Sequence, residues 1–393
     1  MAIYLVVLVA TLNQIGYGGS RIAVSLYALE LGANQLTIGV MIALYSLCPM
    51  FLAIIVGRYA DRMPPRLPII IGSIFTVIAL VLPPLFPGIA TLYVSAFMLG
   101  LFHLVFTIPV EAVVGGIGGG DKRARNYIMI SLGWSTASFF GPLITGFSID
   151  NIGHLPAFLL LAAFVLAPII ILFFVPDLFQ QTETRTDAGP RGSVLDLWRI
   201  QNLRTTFITV GIIGTAQDLF QFYMPIYGHS IGLSASAIGA VLGMVAAAAF
   251  TMRAVLPFIL KRYTEPRILV VAVFLAAIAY LLLPHFVNPF ALAAIAFLLG
   301  LGVGSAQPLS MSLLYVLTPV GRIAESIGLH KTVRNTSQLL IPIFFGSVGA
   351  AFGFNAVFLS NALVLATGGV LLSRARVPDS ALRARSPDTG HND

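Results

Sequence analysis

The chain has 393 residues, of which 58% are hydrophobic and only 9% charged, with a formal net charge of +7. A soluble domain carries about 25% charged residues, so this composition excludes an ordinary water-soluble enzyme, and a mean hydropathy of +0.95 points to a chain bathed in lipid. The single cysteine, Cys48, excludes an intrachain disulfide or a cysteine-built metal site.

Twelve apolar stretches are long enough to span a bilayer: residues 4–28, 36–56, 68–86, 90–113, 127–148 and 155–175, then 205–229, 236–259, 268–286, 290–315, 327–350 and 354–372. A hydrocarbon core about 30 Å thick needs about 20 helical residues to cross it. In lipid every backbone amide must be satisfied within its own segment or within a closed barrel. The expected fold is therefore all-α, a polytopic membrane protein. The first stretch has no basic n-region and no clear cleavage site, and is read as a retained span rather than a signal peptide. Prolines such as Pro49, Pro109, Pro142 and Pro342 sit inside these stretches. Neighbouring helices in a membrane bundle repair such breaks.

The only long polar connection, residues 176–204, divides the spans into two groups of six. The expected organisation is an N-terminal six-helix bundle (1–175), a linker (176–204), a C-terminal six-helix bundle (205–372) and a polar tail (373–393). All 22 Lys and Arg except Arg21, Arg253, Lys331 and Arg334 fall in one alternate set of connections, and the other set has none. By the positive-inside rule this puts both termini in the cytoplasm of a multi-pass inner-membrane protein. The same distribution explains the basic charge without a nucleic-acid partner.

The two groups repeat one another. At a constant offset of 200 residues Tyr27 matches Tyr227, Gly39 matches Gly239, Gly100 matches Gly300, Pro142 matches Pro342, Gly146 matches Gly346 and Phe158 matches Phe358. Two parallel halves related by an axis along the membrane normal imply a central site between them.

Ionisable residues at membrane depth cost about 2.5–3.5 kcal/mol to insert, so each is a candidate for function. In the first span Asn13, Tyr17, Ser20 and Arg21 share a face, and in the seventh Gly214, Gln217, Asp218 and Gln221 do. The offset sets Arg21 opposite Gln221, at a depth similar to Asp218. These two charges are the candidate proton-coupling pair: water access and a nearby guanidinium together set the charge of a buried aspartate. The competing reading is a permanent Arg21–Asp218 pair that only locks two helices together. In the eleventh span His330, Arg334 and Gln338 form a stripe with Lys331 and Asn335 beside it. With Arg253 they are candidates to line a cavity, although Lys331 also suits a side chain snorkelling to headgroups. His103 and Gln307 complete the polar set at mid-membrane. The spacing of ligands for a metal, of a catalytic triad or of a nucleotide loop is absent, so no cofactor is expected. The expected partners are a small-molecule solute, protons and the lipid bilayer, with a monomer as the simplest state.

The connection after the second span carries Gly57, Arg58, Asp61, Arg62 and Arg66. This resembles the loop signature of the major facilitator superfamily, at the position where that family places it, and the likeness extends over the whole chain. The resemblance implies alternating access between two six-helix bundles. It also implies a conformational gate in which Asp61 caps a neighbouring helix and Arg62 or Arg58 reaches an acid such as Glu111. The fifth span, with Gly133, Gly141, Pro142 and Gly146, looks like the Gly-Pro motif of the family's drug/proton antiporters and implies close packing against the eighth span and a kink. The motif is incomplete, and the arginine expected in the fourth span is absent: residues 96–100 read Ala-Phe-Met-Leu-Gly. The function implied is proton-coupled efflux of amphipathic compounds or metabolites. Uptake of a small organic anion is the alternative, and a non-transporting membrane sensor is a further one.

Overall fold

The computed structural model describes residues 2–60, 64–116, 120–175, 194–318 and 323–374, and among these no strand occurs. The helices are α1 (Ala2–Glu30), α2 (Gln35–Ala60), α3 (Arg66–Leu85), α4 (Ile89–Gly116), α5 (Gly120–Ile152) and α6 (His154–Phe174), followed by α7 (Val194–Arg199), α8 (Gln201–Ser230), α9 (Ala235–Leu260), α10 (Glu265–Leu282), α11 (Pro289–Leu317) and α12 (Ile323–Arg374). The all-helical expectation holds. Two details differ from the sequence reading. The short helix α7 occupies part of the expected linker, where Leu197 packs on Leu203 and Phe207 and the Trp198 ring stacks on Phe207. The last two expected spans run on as α12, broken only at Gly353, whose φ of 78° no L side chain adopts without strain.

Nine stretches among the described residues are long and apolar enough to cross a membrane. Among these stretches α12 counts once across its break, and α8 carries Gln217, Asp218 and Gln221 along its length. Large apolar side chains such as Phe173, Phe290, Phe352 and Leu363 point outward from the bundle. That inversion of the soluble pattern is what a hydrocarbon solvent demands.

The repeat is visible in the backbone. Gly32 and Gly232 take φ of 77° and 79°, and Gly153 and Gly353 take 87° and 78°. In the N-terminal half α1 packs on α5 and α6, and α3 on α4 and α6. In the C-terminal half α8 packs on α12, and α10 on α11 and α12. The halves meet along two long crossings, α2 against α12 and α5 against α9.

Both crossings depend on missing side chains. A Cβ at Gly39 would strike the Pro342 carbonyl, and one at Gly239 would strike the Pro142 carbonyl at the repeat-related position. Gly146 lies against the backbone of Ala235 and Gly346 against that of Gln35. Absence of a side chain lets helix backbones approach closely, which is how bundles cohere when lipid removes the hydrophobic drive between helices. These contacts sit at the starts of α2 and α9, the end of the bundle away from the basic connections.

The same end carries polar links between the halves. The Asp150 carboxylate accepts from the amides of Ala235 (2.9 Å) and Ser236 (2.7 Å), while Ser234 Oγ accepts from Ala237. Together they satisfy three of the first amides of α9, which have no partner inside the helix. On the other crossing the Tyr223 hydroxyl donates to Gln35 Oε1. Within the N-terminal half His154 Nδ1 lies 2.8 Å from Glu30.

Candidate functional site

Between the halves lies a cavity of about 1000 Å³, walled by α1, α2, α4, α5, α8, α9, α11 and α12. It runs from the crossings towards the end that carries the basic connections, where Glu111, Arg253 and His330 line it. Its centre holds the polar residues of α1, α8 and α12.

An ion pair marks the wall of the C-terminal half. Arg334 Nη2 donates to Asp218 Oδ1 at 3.1 Å and to Gln217 Oε1 at 3.3 Å, and Gln338 Nε2 donates to the same Asp218 oxygen at 3.4 Å. Asp218 is buried, and its Oδ2 has no hydrogen-bond partner among the described residues. The direct partner of Asp218 is therefore Arg334, and not the candidate Arg21. The cause is local: α8 packs on α12 inside one half, whereas Arg21 belongs to the other half and turns towards its own tyrosines. A signal for this was present in the repeat. Asp218 corresponds to Gly18 and Arg334 to Trp134, on the α1 and α5 that pack together in the first half.

Arg21 Nη2 donates to the Tyr17 hydroxyl at 3.1 Å. Its guanidinium lies 5.3 Å from the Tyr17 ring centre and 5.2 Å from that of Tyr45, within cation–π range. Ser20 Oγ and Tyr45 Oη share a hydrogen bond at 3.1 Å, which fixes the second ring. The His103 ring stacks on Tyr17 with centroids 3.6 Å apart. Its Nδ1 lies 3.4 Å from Asn13 Oδ1 and its Nε2 3.2 Å from Thr107 Oγ1. The Thr107 hydroxyl also donates to the His103 carbonyl at 2.8 Å.

The cavity wall includes the candidates Tyr17, Arg21, His103, Gln217, Asp218, Gln221, Arg253, Arg334, Asn335 and Gln338, with Glu111 and Pro142. Asn13 is corrected: it is fully buried one layer behind the wall, holding His103. Gly133 and Gly141 pack on α1, against Thr11 and Ile15, and only Gly146 and Pro142 face α9. This corrects the expectation that all four serve the α9 crossing, because successive small residues on α5 point to two different neighbours. Asp61 and Arg62 lie outside the described residues, and of Gly57 and Gln307 only the helical backbone is described. Sequence reasoning missed Gln14, Thr107 and Ser135 on the wall. Ser135 accepts a hydrogen bond from Arg253 Nη1 across the two halves. Small hydroxyl residues are common in membrane helices, and nothing in their spacing separates wall from packing.

The sequence profile of the Major Facilitator Superfamily matches residues 6–342 and, overlapping, residues 267–391. The chain belongs to the Major Facilitator Superfamily. Multidrug resistance protein MdtG of Escherichia coli is 24% identical over 335 residues, covering 84% of this chain and 80% of that protein. The protein of the same name from Salmonella arizonae is also 24% identical, covering 84% and 81%. Among solved structures, a peptide transporter of the POT family superposes with a TM-score of 0.80 at 14% identity, covering 94% of this chain and 93% of its own. The nucleoside transporter NupG does so with a TM-score of 0.79 at 12% identity, covering 95% and 98%. The superfamily member described here is a membrane transporter of small molecules and not an enzyme.

Proposed function

We propose that this transporter exports amphipathic compounds in exchange for protons, by alternating exposure of the central cavity. The observation that carries the reading is the buried Asp218–Arg334 pair on the wall of the cavity between the two halves. The likeness to multidrug resistance proteins supports the direction of transport. On this reading the basic connections lie in the cytoplasm and the cavity opens inward, in a monomer of the inner membrane. The two small-residue crossings are then its outer closure.

The pair gives proton exchange a physical basis. While Asp218 is ionised, Arg334 and Gln338 hold it, and Arg21 faces it from the other half. A proton on Asp218 removes the negative charge between two guanidinium groups, which favours separation of the halves around the cavity. Loss of that proton restores the attraction. Arg21 thus keeps a role in coupling, as a long-range partner across the cavity. The gate of Gly57, Asp61, Arg62 and Glu111 would close the cytoplasmic end in the opposite state.

Inverted membrane vesicles from cells overproducing the protein test the reading. Loading of an amphipathic fluorescent dye on energisation, abolished by a protonophore, is the expected result. Dye movement identical to that in vesicles lacking the protein would overturn it.

A further inference from the structure

The cavity contains more positive charge than its own acids answer. Arg21, Arg253 and Arg334 face it, with the carboxylates of Asp218 and Glu111. Glu111 makes interactions of its own, and Asp218 is taken up by Arg334 and Gln338. The side-chain acceptors of the other two guanidinium groups are neutral hydroxyls, Tyr17 for Arg21 and Ser135 for Arg253. Among the described residues no carboxylate lies within ion-pair distance of Arg21. Its Nε is buried without a hydrogen-bond partner. A guanidinium presents five donors in a planar fork and cannot shed its charge. Flanking tyrosine rings orient that fork without neutralising it.

The rest of the wall suits an apolar body. Leu104, Ile108, Trp134, Leu242, Val245 and Val303 line it beside the charged centre. At about 1000 Å³ the space is at the upper end of what drug-sized ligands occupy, roughly 300–1,000 Å³. Arg253, nearer the open end, would attract the same charge on the way in.

We propose that Arg21 is the recognition point for a carboxylate or similar anionic group on an otherwise apolar substrate, so that the preferred cargo is an amphipathic organic anion. The fork takes two oxygens of the anion on its free edge, while the Tyr17 and Tyr45 rings hold it in place. The apolar body lies against Trp134 and the aliphatic wall. The inference rests on reading this cavity as the transport site, but it concerns binding and does not depend on proton coupling.

The test is a binding titration on the purified full-length protein in phosphatidylcholine nanodiscs, with three probes that share one ring system: naphthylacetate, naphthylacetamide and naphthylethylamine. The acid is expected to bind at least tenfold more tightly than the amide, and the amine more weakly still. Arg21→Gln should bring the acid down to the level of the amide. Arg21→Lys should recover part of the difference. Equal binding of acid and amide by the wild-type protein, no binding of any probe, or a preference that survives Arg21→Gln would each overturn the proposal. The first two outcomes need no variant, so misfolding of Arg21→Gln leaves the test intact. Comparing titrations at one high salt concentration in nanodiscs with and without phosphatidylglycerol separates solute from headgroup. Unchanged affinity supports a soluble anion, and a tenfold loss assigns the site to lipid and contradicts the proposal. Selective binding of the acid without proton-driven movement would leave this inference standing and remove the proposed function instead.

Discussion

Arg334 is the residue on which the charge balance of the cavity turns. Removing one partner of a buried ion pair leaves an uncompensated charge, a loss of about 3–5 kcal/mol, whereas removing both is often close to neutral. Arg334→Gln is therefore expected to lower the thermal unfolding midpoint sharply, and Asp218→Asn combined with Arg334→Gln to restore most of it. Equal destabilisation by the single and double variants would show that the 3.1 Å contact carries no weight. The identities of the polar residues were legible in the sequence, because a charge in an apolar run stands out. Their partners were not. Arg21 and Arg334 read alike on a helix face, and only the packing of α8 on α12 decides which guanidinium reaches Asp218.

Among elements, the two crossings join the halves at the starts of α2 and α9 by different means although the repeat relates them. Asp150 caps α9 on one side, while the repeat sets Ala350 at the corresponding place beside α2, whose start relies on Asn34 Oδ1 accepting from Thr37. Burial pushes the Asp150 carboxyl up, but hydrogen bonds from Ser236 and Ala235 outweigh it and hold the group below the usual carboxylate range. A lowered value means that the closed end is stabilised above the ordinary carboxylate range and loses this support as pH falls through the lowered value. Asp150→Ala should cost the closure about 1 kcal/mol at neutral pH, the usual worth of a helix cap. Spin labels at Leu31→Cys and Phe286→Cys, on opposite halves near this end, are expected to show a longer-distance population in the variant. The wild type should show it only on acidification, and a pH-independent wild-type distribution would remove Asp150 from the closure. Gly239→Leu acts on the same crossing by bulk. Its side chain meets the Pro142 carbonyl, so the outer end should stay apart and transport should fall to background while the protein remains folded. Gly146 and Gly239 were legible as motif and repeat. That Gly133 and Gly141 serve α1 was not, since small residues do not name the neighbour they admit.

For the whole molecule, composition and a 200-residue offset were enough to predict an all-helical bundle of two related halves, because lipid permits so few alternatives. The positive-φ pairs Gly32 with Gly232 and Gly153 with Gly353 show that the repeat is one of backbone turns as well as of residues. α5 and α8 both line a polar route between the halves. The central claim is that this route carries solute against protons through Asp218. The most direct measurement is transport into proteoliposomes by wild type and Asp218→Asn, with and without an imposed pH gradient, beside exchange of labelled for unlabelled solute. The wild type should be accelerated by the gradient, whereas Asp218→Asn should exchange solute but ignore the gradient. Equal acceleration of the two proteins would contradict the account.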